Sequence, residues 1–144
     1  MGQRSLALVA TGVLVLALGM SAPASVALAQ PTTQTGQAGA VTIKATWHGA
    51  EVGPVFTIVL DTHAVNLDAY DLDQLATLRT DQGVETAPIT WEAPAGGHHR
   101  QGTLTFPLTQ SDGSPVLTGD TRLIELGIRD VGGVPETVLT WVLP

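Results

Sequence analysis

Three histidines stand where a fold could bring them together: His63, in Leu60-Asp61-Thr62-His63, and the adjacent pair in Gly96-Gly97-His98-His99. Imidazole is the commonest metal ligand and the side chain that titrates nearest neutral pH, so such a cluster is a candidate site. Carboxylates lie nearby at Asp61 and Asp71. Imidazoles joined by one of these carboxylates would make a nitrogen and oxygen donor set suited to Cu(II), Zn(II) or Ni(II). The chain has no cysteine, and both methionines, Met1 and Met20, fall in its first 29 residues. Residues 30–144 therefore exclude a cysteine nucleophile, an iron–sulfur cluster, a blue-copper centre and a thioether Cu(I) site.

A structural interpretation competes with the metal one. Gly96-Gly97 fits a turn, His98 and His99 can cap backbone groups, and Asp61-Thr62 can close a loop through side-chain hydrogen bonds. Catalysis is harder to assemble. Beyond residue 29 the only serines are Ser111 and Ser114, in a turn expected at the far end from the histidines, so a serine triad fails on geometry. A paired-carboxylate hydrolase built from Asp61, Asp71 and Glu92 is the remote alternative. A 104-residue domain with few aromatics offers such an enzyme little room for a cleft. No phosphate loop or dinucleotide fingerprint is present. The expectation is a protein that is not an enzyme.

The elements that would position these residues read as strands. Val41 to Trp47 alternates with period 2, placing Val41, Ile43, Ala45 and Trp47 on one face. Val55 to Leu60 is nearly all apolar and rich in β-branched residues. Leu75 to Thr80, Thr86 to Trp91, Gln101 to Leu108, Thr121 to Ile128 and Glu136 to Leu143 follow, separated by turn signals such as Gly53-Pro54, Asp81-Gln82-Gly83 and Gly132-Gly133. Only Leu67 to Leu75 has room for helical turns. Seven strands at this spacing predict an all-β fold, an immunoglobulin-like seven-stranded antiparallel β-sandwich over residues 41–144. Trp47, Trp91 and Trp141 are expected to plug its core.

Alternating strand direction then sends the loops over residues 61–74, 92–100 and 129–135 to one end. That pole would collect the candidate metal ligands His63, His98, His99, Asp61 and Asp71. Tyr70, Arg100, Arg129 and Asp130 join them as further binding residues. Loops held by a rigid scaffold are where binding residues concentrate.

The N-terminal residues carry an address. Arg4 precedes an uncharged apolar run from Leu6 to Leu18, and Ala27-Leu28-Ala29 is an A-x-A cleavage signature. The run is shorter than the roughly 18 residues a membrane span needs. Residues 1–29 are expected to be a signal peptide, cleaved after Ala29, and the protein to be secreted or periplasmic. Residues 30–40 lack large apolar or charged side chains and are expected to form a disordered leader. Losing residues 1–29 removes Arg4 and no acid, leaving five basic against thirteen acidic residues, a net charge of −8. An acidic chain with no basic stripe is not expected to bind nucleic acid.

Two segments resemble stretches of a group of small, uncharacterised secreted or periplasmic bacterial proteins. They are Phe56 to His63 with the Leu67-Asp68 and Tyr70-Asp71-Leu72 that follow, and Trp91 to Gly102, which holds the Gly-Gly-His-His run. The resemblance spans roughly residues 50–142 and implies export and a β domain, with no catalytic residues. The expected function is an exported binding or accessory module that meets a protein or envelope component through the histidine pole. Divalent metal binding or delivery at that pole is the alternative.

Overall fold

The structure is a computed structural model that describes residues 32–144. The expected signal peptide over residues 1–29 lies outside the described residues. Nine strands are present among those described: β1 Thr33–Ala38, β2 Val41–Trp47, β3 Val55–Asp61, β4 Ala76–Thr80, β5 Glu85–Thr86, β6 Thr90–Glu92, β7 His99–Thr105, β8 Leu123–Val131 and β9 Val134–Val142. A 3-10 turn at Leu67–Ala69 and a short helix, α1, at Leu72–Leu75 fill the one stretch with room for helix. The chain is mostly β. One antiparallel sheet has five strands in the order β1-β2-β3-β7-β6, and a second has four in the order β5-β4-β8-β9.

Period-2 alternation builds the interior. Ile43, Ala45, Phe56, Ile58, Leu60 and Leu104 from the first sheet join Leu78, Ile124, Leu126, Leu139 and Trp141 from the second in one apolar cluster. Phe56 meets Phe106 edge-on at 5.9 Å and Trp141 at 5.2 Å between ring centroids. Trp47 and Trp141 are core residues, as expected. Trp91 is only partly buried and packs against the cluster from its margin.

Two differences explain nine strands where seven were expected. The supposed leader over residues 30–40 is instead β1 through most of its described length, pairing with β2 from Thr33↔Thr46 to Ala38↔Val41. Two of its three inward positions, Gly36 and Ala38, are small. A Cβ on Gly36 would press into Leu139 and Thr137 of β9, so the backbone itself covers that side of the core. The second difference lies at Ala87-Pro88. Pro88 has no N–H to give a ladder, and the extended segment changes sheets there, β5 pairing with β4 and β6 with β7. Neither change disturbs the direction of the later strands. β1 precedes them all, and β5 and β6 are one extended path.

The outer face of the four-stranded sheet carries an ion pair that reaches across a strand. Arg79 Nη2 on β4 donates to Glu136 Oε1 on β9 at 2.8 Å, passing over Gly127 of the intervening β8. A Cβ on Gly127 would lie 2.5 Å from Glu136 Oε1 and 3.0 Å from Arg79 Nη1. Gly127→Ala is therefore expected to part the pair and cost about 1–2 kcal/mol, a steric penalty larger than an exposed ion pair alone would give. Chemical denaturation should show that cost, and it should shrink when Glu136→Ala has already removed the pair.

Candidate functional site

The pole forms where β3 ends and β7 begins. Their register places Asp61 opposite His99, so both side chains stand on the same face. Asp61 Oδ1 and His99 Nδ1 are 2.5 Å apart. The next residue, Thr62, is buried and acts as a rivet. Its amide donates to the His98 carbonyl at 3.0 Å, its hydroxyl donates to the Ala40 carbonyl at 2.9 Å, and the same oxygen accepts from the Ala64 amide. His63 follows, exposed, with its ring edge-to-face against His99 at 5.8 Å between centroids. Leu-Asp-Thr-His is thus strand end, charge partner, buried tie and displayed imidazole in sequence.

The Gly-Gly-His-His run forms the facing wall. Asp68 accepts from the Gly96 amide at 2.8 Å and from the Gly97 amide at 3.3 Å. Gly97 sits at φ +63°, the left-handed region, and its carbonyl accepts from the Leu67 amide at 2.7 Å. These bonds, led by that from Gly96, hold the Asp68 carboxyl below the ordinary carboxylate range despite some desolvation, and Arg100 adds attraction. A depressed folded pKa stabilises the fold above the unfolded value of about 3.9 and is lost as pH falls through the lower folded value. Asp68→Ala should accordingly destabilise the protein at neutral pH, and the difference from wild type should close below about pH 4. Urea titrations across that range will test it.

Arg100 binds the loops to each other. Its side chain is 12% exposed. Nη1 donates to the carbonyls of Leu67 at 3.2 Å and Tyr70 at 2.7 Å, while Nε and Nη2 reach Pro94 and Ala93 across the gap. The guanidinium also lies 5.5 Å from the centre of the Trp91 ring. Tyr70 extends the web to the third loop, its hydroxyl accepting from the Gly132 amide at 3.1 Å. Arg129 does the same from the other side, donating to the Gln74 carbonyl at 3.1 Å. The β8–β9 turn also touches the β1–β2 turn, where Cβ atoms on Gly39 or Gly132 would each strike the other turn's backbone.

The expected site residues therefore divide. His63, His99 and Asp61 come together. His98 is exposed, its carbonyl held by Thr62, and its ring takes no part in the Asp61–His99 contact. Asp71 is spent elsewhere as the N-cap of α1, accepting from the Asp73 amide at 3.3 Å. Arg100, Tyr70 and Arg129 each bond within the protein, the first through four carbonyls, the second through the Gly132 amide and the third through the Gln74 carbonyl. Arg129 and Asp130 lie in β8 itself; the loop expected over residues 129–135 is a two-residue Gly132-Gly133 turn closed by the Val131↔Val134 pair. His99 opens β7 where a loop was expected. Asp68 is the residue whose role sequence reasoning missed. Its signal was local, since Asn66 caps the same turn by accepting from the Asp68 amide.

Among the described residues no group of three or more His, Cys, Asp or Glu side chains is arranged to hold a metal ion. The expected five-residue donor set is not assembled. At the other end of the protein, an open cleft of about 350 Å³ is lined by Trp47, Gly49, Thr118, Arg122 and Leu143 among others. Among the described residues no helix is long and apolar enough to cross a membrane. Compared with protein-family models, curated proteins and solved structures, the chain matches none.

Proposed function

We propose that this protein is an exported, non-enzymatic binding module that engages a protein or envelope component through the histidine pole. The observation that carries the reading is the cross-tying of the three loops. Asp68, Thr62, Arg100 and Tyr70 fix them to one another and to the sheets, while His63, His98 and His99 are left exposed. A surface ordered before binding avoids the entropic cost of ordering on contact. Export is supported by the residue pattern before Gln30, and the acidic balance disfavours nucleic acid.

An immunoglobulin-like sandwich is the fold we propose for the module. The strand order supports it: β2-β3-β7-β6 and β9-β8-β4-β5 follow the A-B-E-D and G-F-C-C′ sheet orders of that class, with β1 added at one edge. Photo-crosslinking in the producing cell tests the function. A photoreactive residue replacing His98 should give a discrete adduct that the same residue replacing Val52, at the far end, does not. No adduct from position 98, or the same adducts from both positions, would contradict the reading.

A further inference from the structure

We infer that His63 and His99 form a two-imidazole chelate for a divalent transition-metal ion, Cu(II) or Zn(II), with Asp61 as the residue that orients His99. The inference goes beyond the contact-surface reading and does not rest on it, since the pole could bind an ion without a partner or a partner without an ion.

Three observations carry it. The first is spacing. Imidazole nitrogen ligates these metals at about 2.0–2.1 Å, which puts a ring centroid about 3 Å from the metal, so two rings on one ion can lie no more than roughly 6 Å apart. The His63 and His99 centroids are 5.8 Å apart, with ring planes at 80°. The second is the Asp61–His99 contact. Metal-ligating histidines almost always give their other ring nitrogen to a carboxylate or carbonyl, which fixes the tautomer and raises ligand basicity. Asp61 Oδ1 takes His99 Nδ1 at 2.5 Å and leaves Nε2 as the free donor. Asp61 so acts behind the ligand and does not itself coordinate.

The third observation is access combined with support. The side chains of His99 and Asp61 are 67% and 48% exposed, so a hydrated ion can reach them. Both nevertheless stand on paired strand ends, and His63 follows directly on the buried Thr62. Two protein ligands leave the remaining coordination positions to water, and nitrogen donors on an acidic surface favour a divalent cation of the later transition series.

Calorimetric titration of the purified protein with CuCl2 and with ZnCl2 tests the site. One-to-one binding in the micromolar range is expected. His63→Ala and His99→Ala should each weaken it at least about tenfold, and Asp61→Asn by about 10–100-fold. His98→Ala should leave it within about twofold of wild type, because His98 is outside the chelate. Cu(II) electron paramagnetic resonance adds a readout that misfolding alone would not mimic: coupling to two imidazole nitrogens in wild type, falling to one in either alanine variant. No binding, binding that survives either histidine substitution, or binding unaltered by Asp61→Asn would overturn the assignment.

Discussion

Replacing Arg100 by alanine is expected to lower stability by about 2–4 kcal/mol, and for a domain near this size to drop Tm by roughly 10–20 °C. The reasoning starts from the donor inventory of guanidinium, which presents five N–H groups in a fixed fork and cannot lose its charge. Here the fork is only 12% exposed and bonds four carbonyls, two on the 67–70 turn and two at residues 93–94. Charge-assisted bonds of this kind are the stronger ones, and their loss strands acceptors in a half-buried place. Arg100→Lys should recover little, because an ammonium is a point charge that cannot span both loops. The effect should also be local. Amide exchange at Leu67, whose bond to the Gly97 carbonyl the guanidinium braces, should accelerate more than exchange in β8 or β9.

Trp141→Ala is expected to cost about 3–5 kcal/mol, the range for removing a large buried aromatic side chain. Trp141 is 2% exposed, stacks at a tilt on Phe56, and sits where both sheets meet. Its indole N–H also donates to the Thr32 carbonyl at 2.9 Å, an oxygen that accepts from the Trp47 amide as well. The residue thus joins the core to the start of β1. A Trp141→Phe variant separates the two roles. It keeps most of the packing and loses the bond to Thr32, so a smaller loss of stability is expected, with faster exchange at the amides of β1. Guanidinium titrations of the two variants, read with exchange at Gln34 and Gly36, whose amides face β2, will show whether core and edge part in this way.

The sheet pattern was legible wherever one face met the core. Val41 to Trp47 and Val55 to Leu60 could be read because their apolar residues recur with the strand period. β1 was not legible. Thr-Gln-Thr-Gly-Gln-Ala buries almost nothing of its own, and its order comes from pairing with β2 and from the two tryptophans that hold Thr32. Composition tests what a segment can bury, not what a neighbour's edge offers it. The change of sheet at Pro88 had a visible cause, although nothing in sequence said that the segment would carry on in the other sheet.

The meeting of Asp61, His63 and His99 was legible because it needed only the direction of the strands. Extra elements that add no reversal leave that direction intact. Side-chain roles within the loops were not. Arg100 and Tyr70 read as contact residues because both are long and polar, yet in the fold they bond to carbonyls and an amide of neighbouring loops. Asp68 read as one carboxylate among several, and its two bonds to Gly96 and Gly97 depend on a loop 28 residues away.

The claim on which the account depends is that three loops lock into one surface before any partner arrives. Backbone nitrogen-15 relaxation of the free protein tests it most directly. Order parameters of about 0.85 are expected at His63, Tyr70, Gly97, His98 and Gly132, equal to those of the strands. Values below about 0.6 through residues 62–70 and 94–98 would contradict it, since loops moving that freely would not form a prepared binding surface.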